Sequence, residues 1–319
     1  MISLRELPSP VALVLGGGGS LGALQVGMLQ VLNTAGVKPD VVVGTSVGAL
    51  NGAVIAERGL TGAVPHLEQV WRSTRRHAVF PVRFAALRRI VGRNPVFDGS
   101  GIERLVRTHL SATTFEALDH PLVVVATDAA TGESQSFAHG DLVRAITASA
   151  AIPGVFAAVE IDGRPYLDGG VSQNLPVAAA HAWGAASIIA LDVASRPAVG
   201  APIDERSLQL PDAPTSIIDS ALFAAGVLFR QQRVDALQAA AAEMPVVVVE
   251  TPPTGVQPLN FSQASDLISD GRRLAQTVVD SLSITGPGLY GLMPGLVSRS
   301  PTAPLEQGAP PVSPGFRAD

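Results

Sequence analysis

The 319-residue chain has no cysteine, which excludes disulfides and thiolate metal sites. Charged residues are scarce at 15% and aromatic ones at 4%, while hydrophobic residues reach 47%. That balance is too apolar for a disordered chain and ample for a core of one large domain or two ordinary ones. The net charge of −5 offers no global attraction to nucleic acid, so no nucleic-acid partner is expected. Long apolar runs are absent too. The longest, "SIIDSALFAAGVLF", is broken by Asp219 and falls short of the roughly 18 apolar residues a span requires. It reads as a core helix or a subunit contact around 216–230. The opening "MISLRELPSP" carries Arg5 and Glu6 and no apolar stretch, unlike a secretory signal, so a cytoplasmic protein is expected. The six histidines, at 66, 77, 109, 120, 139 and 181, show no metal-ligand spacing. No metal is expected.

What is present is a series of short β-branched runs. "VALVL" at 11–15, "VVV" at 41–43, "LVVVA" at 122–126, "SIIALDV" at 187–193 and "PVVVVE" at 245–250 are continuously apolar, as in strands buried on both faces of a parallel sheet. Helical patterns lie between them, one closed by Gly36 and one by Gly59. Strands alternating with helices predict an α/β layered domain.

Three stretches carry chemistry. "VLGGGGSLGALQVG" places Gly17, Gly18, Gly19 and Gly22 behind the first strand, a backbone bent to present N–H groups to an anion. Its G-x-G-x-x-G spacing also fits a dinucleotide site, which requires an acidic residue at the end of the second strand. Asp40 has the right distance but precedes that strand, which weakens an oxidoreductase reading. After the strand comes "GTSVG", a G-x-S-x-G with Gly44, Ser46 and Gly48 between strand and helix. That context holds a serine out of the sheet as a nucleophile, whereas a plain helix cap would not need the flanking glycines. A serine needs a base. "YLDGG" offers Asp168 with Gly169 and Gly170, in what reads as a loop leading to a helix; turn formation is the competing role for such a pair. Asp128, in "VATDAATGE", reads as a turn former. Upstream of Asp168, "ITASAAIPGVF" is a run of small residues suited to tight packing beneath a site.

Glycine loop, G-x-S-x-G, "ASAAIP" and D-G-G, in that order over roughly residues 11–195, resemble the patatin-like phospholipase family. The resemblance implies a three-layer α/β/α fold with a mostly parallel central sheet. It further implies a Ser–Asp dyad without histidine, in which Ser46 is the nucleophile and Asp168 its base. The backbone N–H groups of Gly17, Gly18 and Gly19 would form the oxyanion hole. The substrate would be a lipid acyl ester, phospholipid, lysophospholipid or neutral, with no cofactor. Leu21 stands where the family usually has Arg or Lys, removing a positive charge from the loop. A catalytically weak lipid-binding or regulatory protein is the alternative. His181 is the one histidine following Asp168 in hydrolase chain order.

The remaining expectations concern organisation. Residues 1–10 read as a leader, 11–283 as the hydrolase domain and 284–319, rich in Pro and Gly, as a mobile tail. Segment 71–93 has seven arginines and no acidic residue, so it is a candidate lid and peripheral contact with anionic membrane, against a solvated basic face. Nothing in the sequence specifies an oligomeric state.

Overall fold

All five apolar runs lie in one sheet of the computed structural model, which describes residues 2–74, 97–193, 233–252, 256 and 260–291. Its strands are β1 (Val11–Leu15), β2 (Val41–Thr45), β3 (Leu122–Asp128), β4 (Ser134–Phe137), β5 (Val159–Ile161), β6 (Arg164–Asp168), β7 (Ser187–Asp192), β8 (Pro245–Glu250) and β9 (Gly288–Tyr290). The order is β5-β6-β3-β2-β1-β7-β8-β9, with β4 also on β3. Strands β3, β2, β1, β7, β8 and β9 run parallel, and β4, β5 and β6 pair antiparallel at one side. The mostly parallel α/β/α architecture is as expected.

Alternation along each strand divides the core. Leu13, Leu15, Val42, Val124, Ile189 and Val247 face a large cluster with α1 (Gly22–Thr34), α2 (Val47–Ser73), α3 (Ser100–His109) and α4 (Leu142–Ser149). Ala12, Val14, Val43, Val125, Ile188 and Val246 face a smaller one. There they meet Leu175, beyond α5 (Gly170–Gln173), then α6 (Val177–Trp183) and a helical run at 233–243. The last helix, α7 (Ala264–Ser281), covers the first face beside α1. No described helix is long and apolar enough to cross a membrane.

The structure bears on three of these expectations. Gly59 does break its helix, at φ 64°, but a second helical segment begins at once and continues to Ser73. Residues 2–10 do not stand apart as a leader. Leu4 and Leu7 are buried, the Ile2 N–H donates to the Ile284 carbonyl at 3.0 Å, and Ser187 Oγ donates to the Pro8 carbonyl at 2.7 Å. The tail, in turn, starts later than its composition suggests, because Gly288–Tyr290 adds a parallel edge strand to β8. The remainder of it, 292–319, lies outside the described residues, as do 75–93 of the arginine segment and 216–230. Within that segment Arg72 is described, and its guanidinium meets Glu68 at 2.8 Å.

Two glycines let α1 and α7 cross almost backbone to backbone. A Cβ on Gly27 would lie 1.9 Å from the Ile268 carbonyl oxygen, and one on Gly271 2.0 Å from that of Leu24. Neither neighbour can yield without moving a helix. Gly27→Ala should therefore cost at least about 2 kcal/mol in urea denaturation, within the usual cost of overpacking. Gly62→Ala, on an exposed helical position where the new methyl meets only Arg58 Cβ at 3.4 Å, should be neutral or slightly stabilising. Equal stability of the Gly27 variant and the wild type would contradict the close crossing.

Candidate active site

β2 ends at Thr45 and α2 starts at Val47, so the chain must reverse at Ser46 alone. It does so at φ 54°, ψ −121°, a conformation that costs a residue with a side chain on the order of 1–3 kcal/mol. The motif glycines make the reversal sterically feasible. A Cβ on Gly48 would sit 2.1 Å from the Leu15 carbonyl oxygen, and one on Gly44 2.5 Å from that of Gly48. The Ser46 N–H donates to Ser149 Oγ at 2.8 Å, and Ser149 Oγ donates onward to the Val125 carbonyl at 2.6 Å. Ser149, the last residue of α4, was legible in "ASAAIP" only as a small residue; it is the hydroxyl that anchors the turn.

Asp168 lies at the end of β6 rather than in a loop, paired with Ala126 of β3. Its N–H donates to the Ala151 carbonyl at 2.9 Å, and its carbonyl accepts from Thr127 Oγ1 at 2.9 Å. The D-G-G glycines serve two purposes. Gly169 passes so near β3 that a Cβ would lie 2.1 Å from the Val125 carbonyl oxygen. Gly170 donates its N–H to Asp168 Oδ1 at 2.7 Å. This leaves Oδ2 to accept from Ser46 Oγ at 2.8 Å, across 122 positions of sequence. Both side chains are buried. Burial pushes the Asp168 pKa up to about 6, opposed by the hydrogen bonds from Gly170 and Ser46.

The glycine loop corrects one assignment. The Gly16 N–H donates to the Leu191 carbonyl at 3.1 Å, and the Gly17 N–H to the Asn174 carbonyl at 2.9 Å. Gly17 is therefore already committed as a donor and cannot serve the oxyanion. The N–H groups of Gly18 and Gly19 have no acceptor among the described residues, and Gly19 adopts φ 58°. Gly22 seals the loop beneath: a Cβ there would lie 2.4 Å from Val47 Cγ2. Leu21 is buried in the main core rather than turned to the site. Asn174, which sequence reasoning passed over, follows the D-G-G segment by four residues.

Other candidates lie elsewhere. Asp40 Oδ2 accepts from the Val11 N–H at 2.6 Å, at the start of β1 and so at the opposite end from the glycine loop. It is not placed to hold the ribose of a dinucleotide bound there. Asp128 closes a turn, accepting the Ala130 N–H at 2.8 Å. His181 pairs with Glu243 at 3.0 Å on the surface. None of the described histidines hydrogen-bonds to Ser46 or Asp168; His77 is outside them. No cluster of His, Asp and Glu suited to a metal occurs among the described residues.

Ser46 and Gly19 open into an apolar cavity between α2 and α3, walled by Leu50, Val54, Leu67, Trp71, Ile102, Val106 and Phe261. Trp71 stacks on Phe261 with ring centres 6.1 Å apart. His109 also lines the cavity, its ring edge-on to His66, and burial favours its neutral form.

A family model described as patatin-like phospholipase matches residues 13–181. Over 188 residues, 58% of this chain, the sequence is 32% identical to human patatin-like phospholipase domain-containing protein 6, covering 13% of that protein. An NTE family protein of Mycobacterium bovis is 35% identical over 178 residues, 56% of this chain and 47% of the relative. This chain thus spans less than half the length of these curated relatives. Among solved structures, VipD from Legionella pneumophila superposes with a TM-score of 0.41 at 16% identity, over 86% of this chain and 67% of that one.

A carboxylate that ionises near 6 in the fold and near 3.8 in an unfolded chain favours folding fully below pH 3.8 and loses that contribution as pH rises through 6. At neutral pH the ionised Asp168 therefore costs the fold on the order of 3 kcal/mol. Asn keeps an acceptor for Gly170 and removes the charge. Asp168→Asn should accordingly denature at higher temperature than the wild type at pH 8, with the gap closing toward pH 4. Lower stability of the variant at pH 8 would mean that Asp168 is not held in a desolvated site.

Proposed function

Since the chain belongs to the patatin-like phospholipase family, we propose that it is a serine acyl hydrolase acting on lipid esters through a Ser46–Asp168 dyad. The observation that carries this reading is the 2.8 Å hydrogen bond from Ser46 Oγ to a buried carboxylate whose pKa stands near 6. An ordinary aspartate is too weak a base to take a serine proton, and raising its proton affinity narrows that gap.

Ser46 Oγ attacks the acyl carbonyl while its proton passes to Asp168 Oδ2. The N–H groups of Gly18 and Gly19, without an acceptor among the described residues, receive the oxyanion, a stabilisation worth about 3–4 kcal/mol per well-placed donor. Collapse of the tetrahedral intermediate expels the alcohol, which takes the proton from Asp168 and leaves the acyl group on Ser46. Water, deprotonated by Asp168 in turn, then releases the carboxylic acid and restores the serine. The cavity beside Ser46 has the apolar lining that an acyl chain requires. With Leu21 in the core and no cation at that loop position, the site suits neutral esters better than substrates gripped by their phosphate. Contact with anionic membrane through 71–93 belongs to the same reading. It rests on the seven arginines of that segment.

The base must be ionised to act. On a soluble short-chain ester, kcat/KM should fall about tenfold per pH unit below 6 and level off above it. Asp168→Asn should reduce turnover at least about a hundredfold at pH 8, with the deficit shrinking below pH 6 as the wild-type base protonates, whereas His181→Ala should change it less than a few-fold. Loss of activity in the His181 variant with retention in Asp168→Asn would replace the dyad by a different serine hydrolase. Turnover unchanged in Ser46→Ala would place the chemistry on another residue, whereas lipid binding without turnover of any ester by the wild type would favour the lipid-binding alternative.

A further inference from the structure

A chain of side-chain amides runs through the core from the cavity wall to the glycine loop. Trp71 Nε1 donates to Asn51 Oδ1 at 2.9 Å, Asn51 Nδ2 donates to Gln25 Oε1 at 2.8 Å, and Gln25 Nε2 donates to the Gly16 carbonyl at 2.8 Å. Gln25 is 0% and Asn51 2% exposed. Every donor points the same way, toward the loop, so each bond polarises the next. Burying two amides among leucines and valines is unfavourable unless each finds partners. Asn51 completes its set with the Gly22 carbonyl at 3.1 Å.

The end of the chain matters because of what the Gly16–Gly17 peptide does. Its carbonyl is gripped by Gln25 and its N–H by the Asn174 carbonyl. A peptide unit is planar, so fixing both ends fixes its orientation. Asn174 Nδ2 then reaches the Gly17 carbonyl at 3.4 Å, on the peptide whose N–H is that of Gly18. The direction of the unengaged Gly18 N–H is thus set one peptide downstream of the Gln25 contact. Glycines alone would leave this stretch free to rotate.

We propose that Gln25 is a positioning residue for the oxyanion donors. It is held in place by Asn51 and Trp71, so that one face of the acyl cavity and the glycine loop share a single hydrogen-bonded frame. This deepens the acyl hydrolase reading and rests on it for its catalytic consequence, though not for the geometry itself.

The test uses Gln25→Met, which keeps length and volume but removes both the donor to the Gly16 carbonyl and the acceptor for Asn51, with two readouts on the full chain. On a butyrate ester, kcat should fall at least tenfold while KM stays within twofold, because the donors bind charge that develops only in the transition state. By NMR, hydrogen exchange of the Gly16 and Gly17 amides should accelerate at least tenfold relative to Val43 in the neighbouring strand. Exchange at Gly16 and Gly17 that keeps pace with Val43, or kcat within twofold of wild type, overturns the proposal. Should the variant fail to fold, Trp71→Phe takes its place, because it keeps an aromatic side chain in the cavity wall while removing the N–H together with the indole's five-membered ring. There the threshold is threefold in both readouts, with the same overturning results. If the wild type turns over no ester, the hydrolase reading falls, and the exchange measurement alone decides the positioning role.

Discussion

The carboxylate of Asp168 is buried with two donors, the Gly170 N–H and the Ser46 hydroxyl, and the surroundings are arranged to tolerate it. A charge with so little solvation is unfavourable, and the fold spends part of its marginal stability on it. Each contact around it has a second purpose. The Gly170 amide fixes Oδ1 and thereby aims Oδ2. Ser149, whose carbonyl accepts the Gly169 N–H at 3.2 Å, also holds the Ser46 N–H through its hydroxyl. Thr127, on the strand paired with β6, holds the Asp168 backbone. Serine and aspartate are thus fastened to one frame, and their separation does not depend on a flexible loop.

The sheet supplies that frame. Parallel strands β1 and β2 end side by side at Leu15–Gly44, so the glycine loop and the Ser46 turn emerge together at their carboxyl ends, where open α/β sheets place their sites. β6 enters antiparallel beside β3 and delivers Asp168 opposite Ala126. Three glycines with no room for a Cβ, at 44, 48 and 169, let these backbones approach closely enough for a hydroxyl–carboxylate bond. Substituting any of them would separate the pair before it altered either side chain.

Much of this was legible from residues alone. Uninterrupted runs such as "VALVL" and "PVVVVE" gave away strands covered on both faces, and motif order pointed to Ser46 and Asp168. Three features were hidden for physical reasons. Proline and glycine after residue 284 obscured the edge strand β9, whose stability comes from pairing with β8 rather than from local propensity. The Gly17 amide looked free because its acceptor, the Asn174 carbonyl, is 157 positions away. Gln25 and Asn51 are single polar residues within largely apolar helical stretches and carry no motif; only the crossing of α1 and α2 turns their amides toward each other. Hydrogen bonds between distant segments leave no periodicity to read.

The central claim is that Ser46 is an activated nucleophile because Asp168 holds its proton. A fluorophosphonate probe reacts with such a serine without needing the correct lipid. Labelling at pH 8, with the adduct located by peptide mass spectrometry, is the most direct measurement. The account predicts a single adduct on Ser46 in the wild type and at least about a hundredfold slower labelling in folded Asp168→Asn. An adduct on another serine, or equal rates in the two proteins, would contradict it.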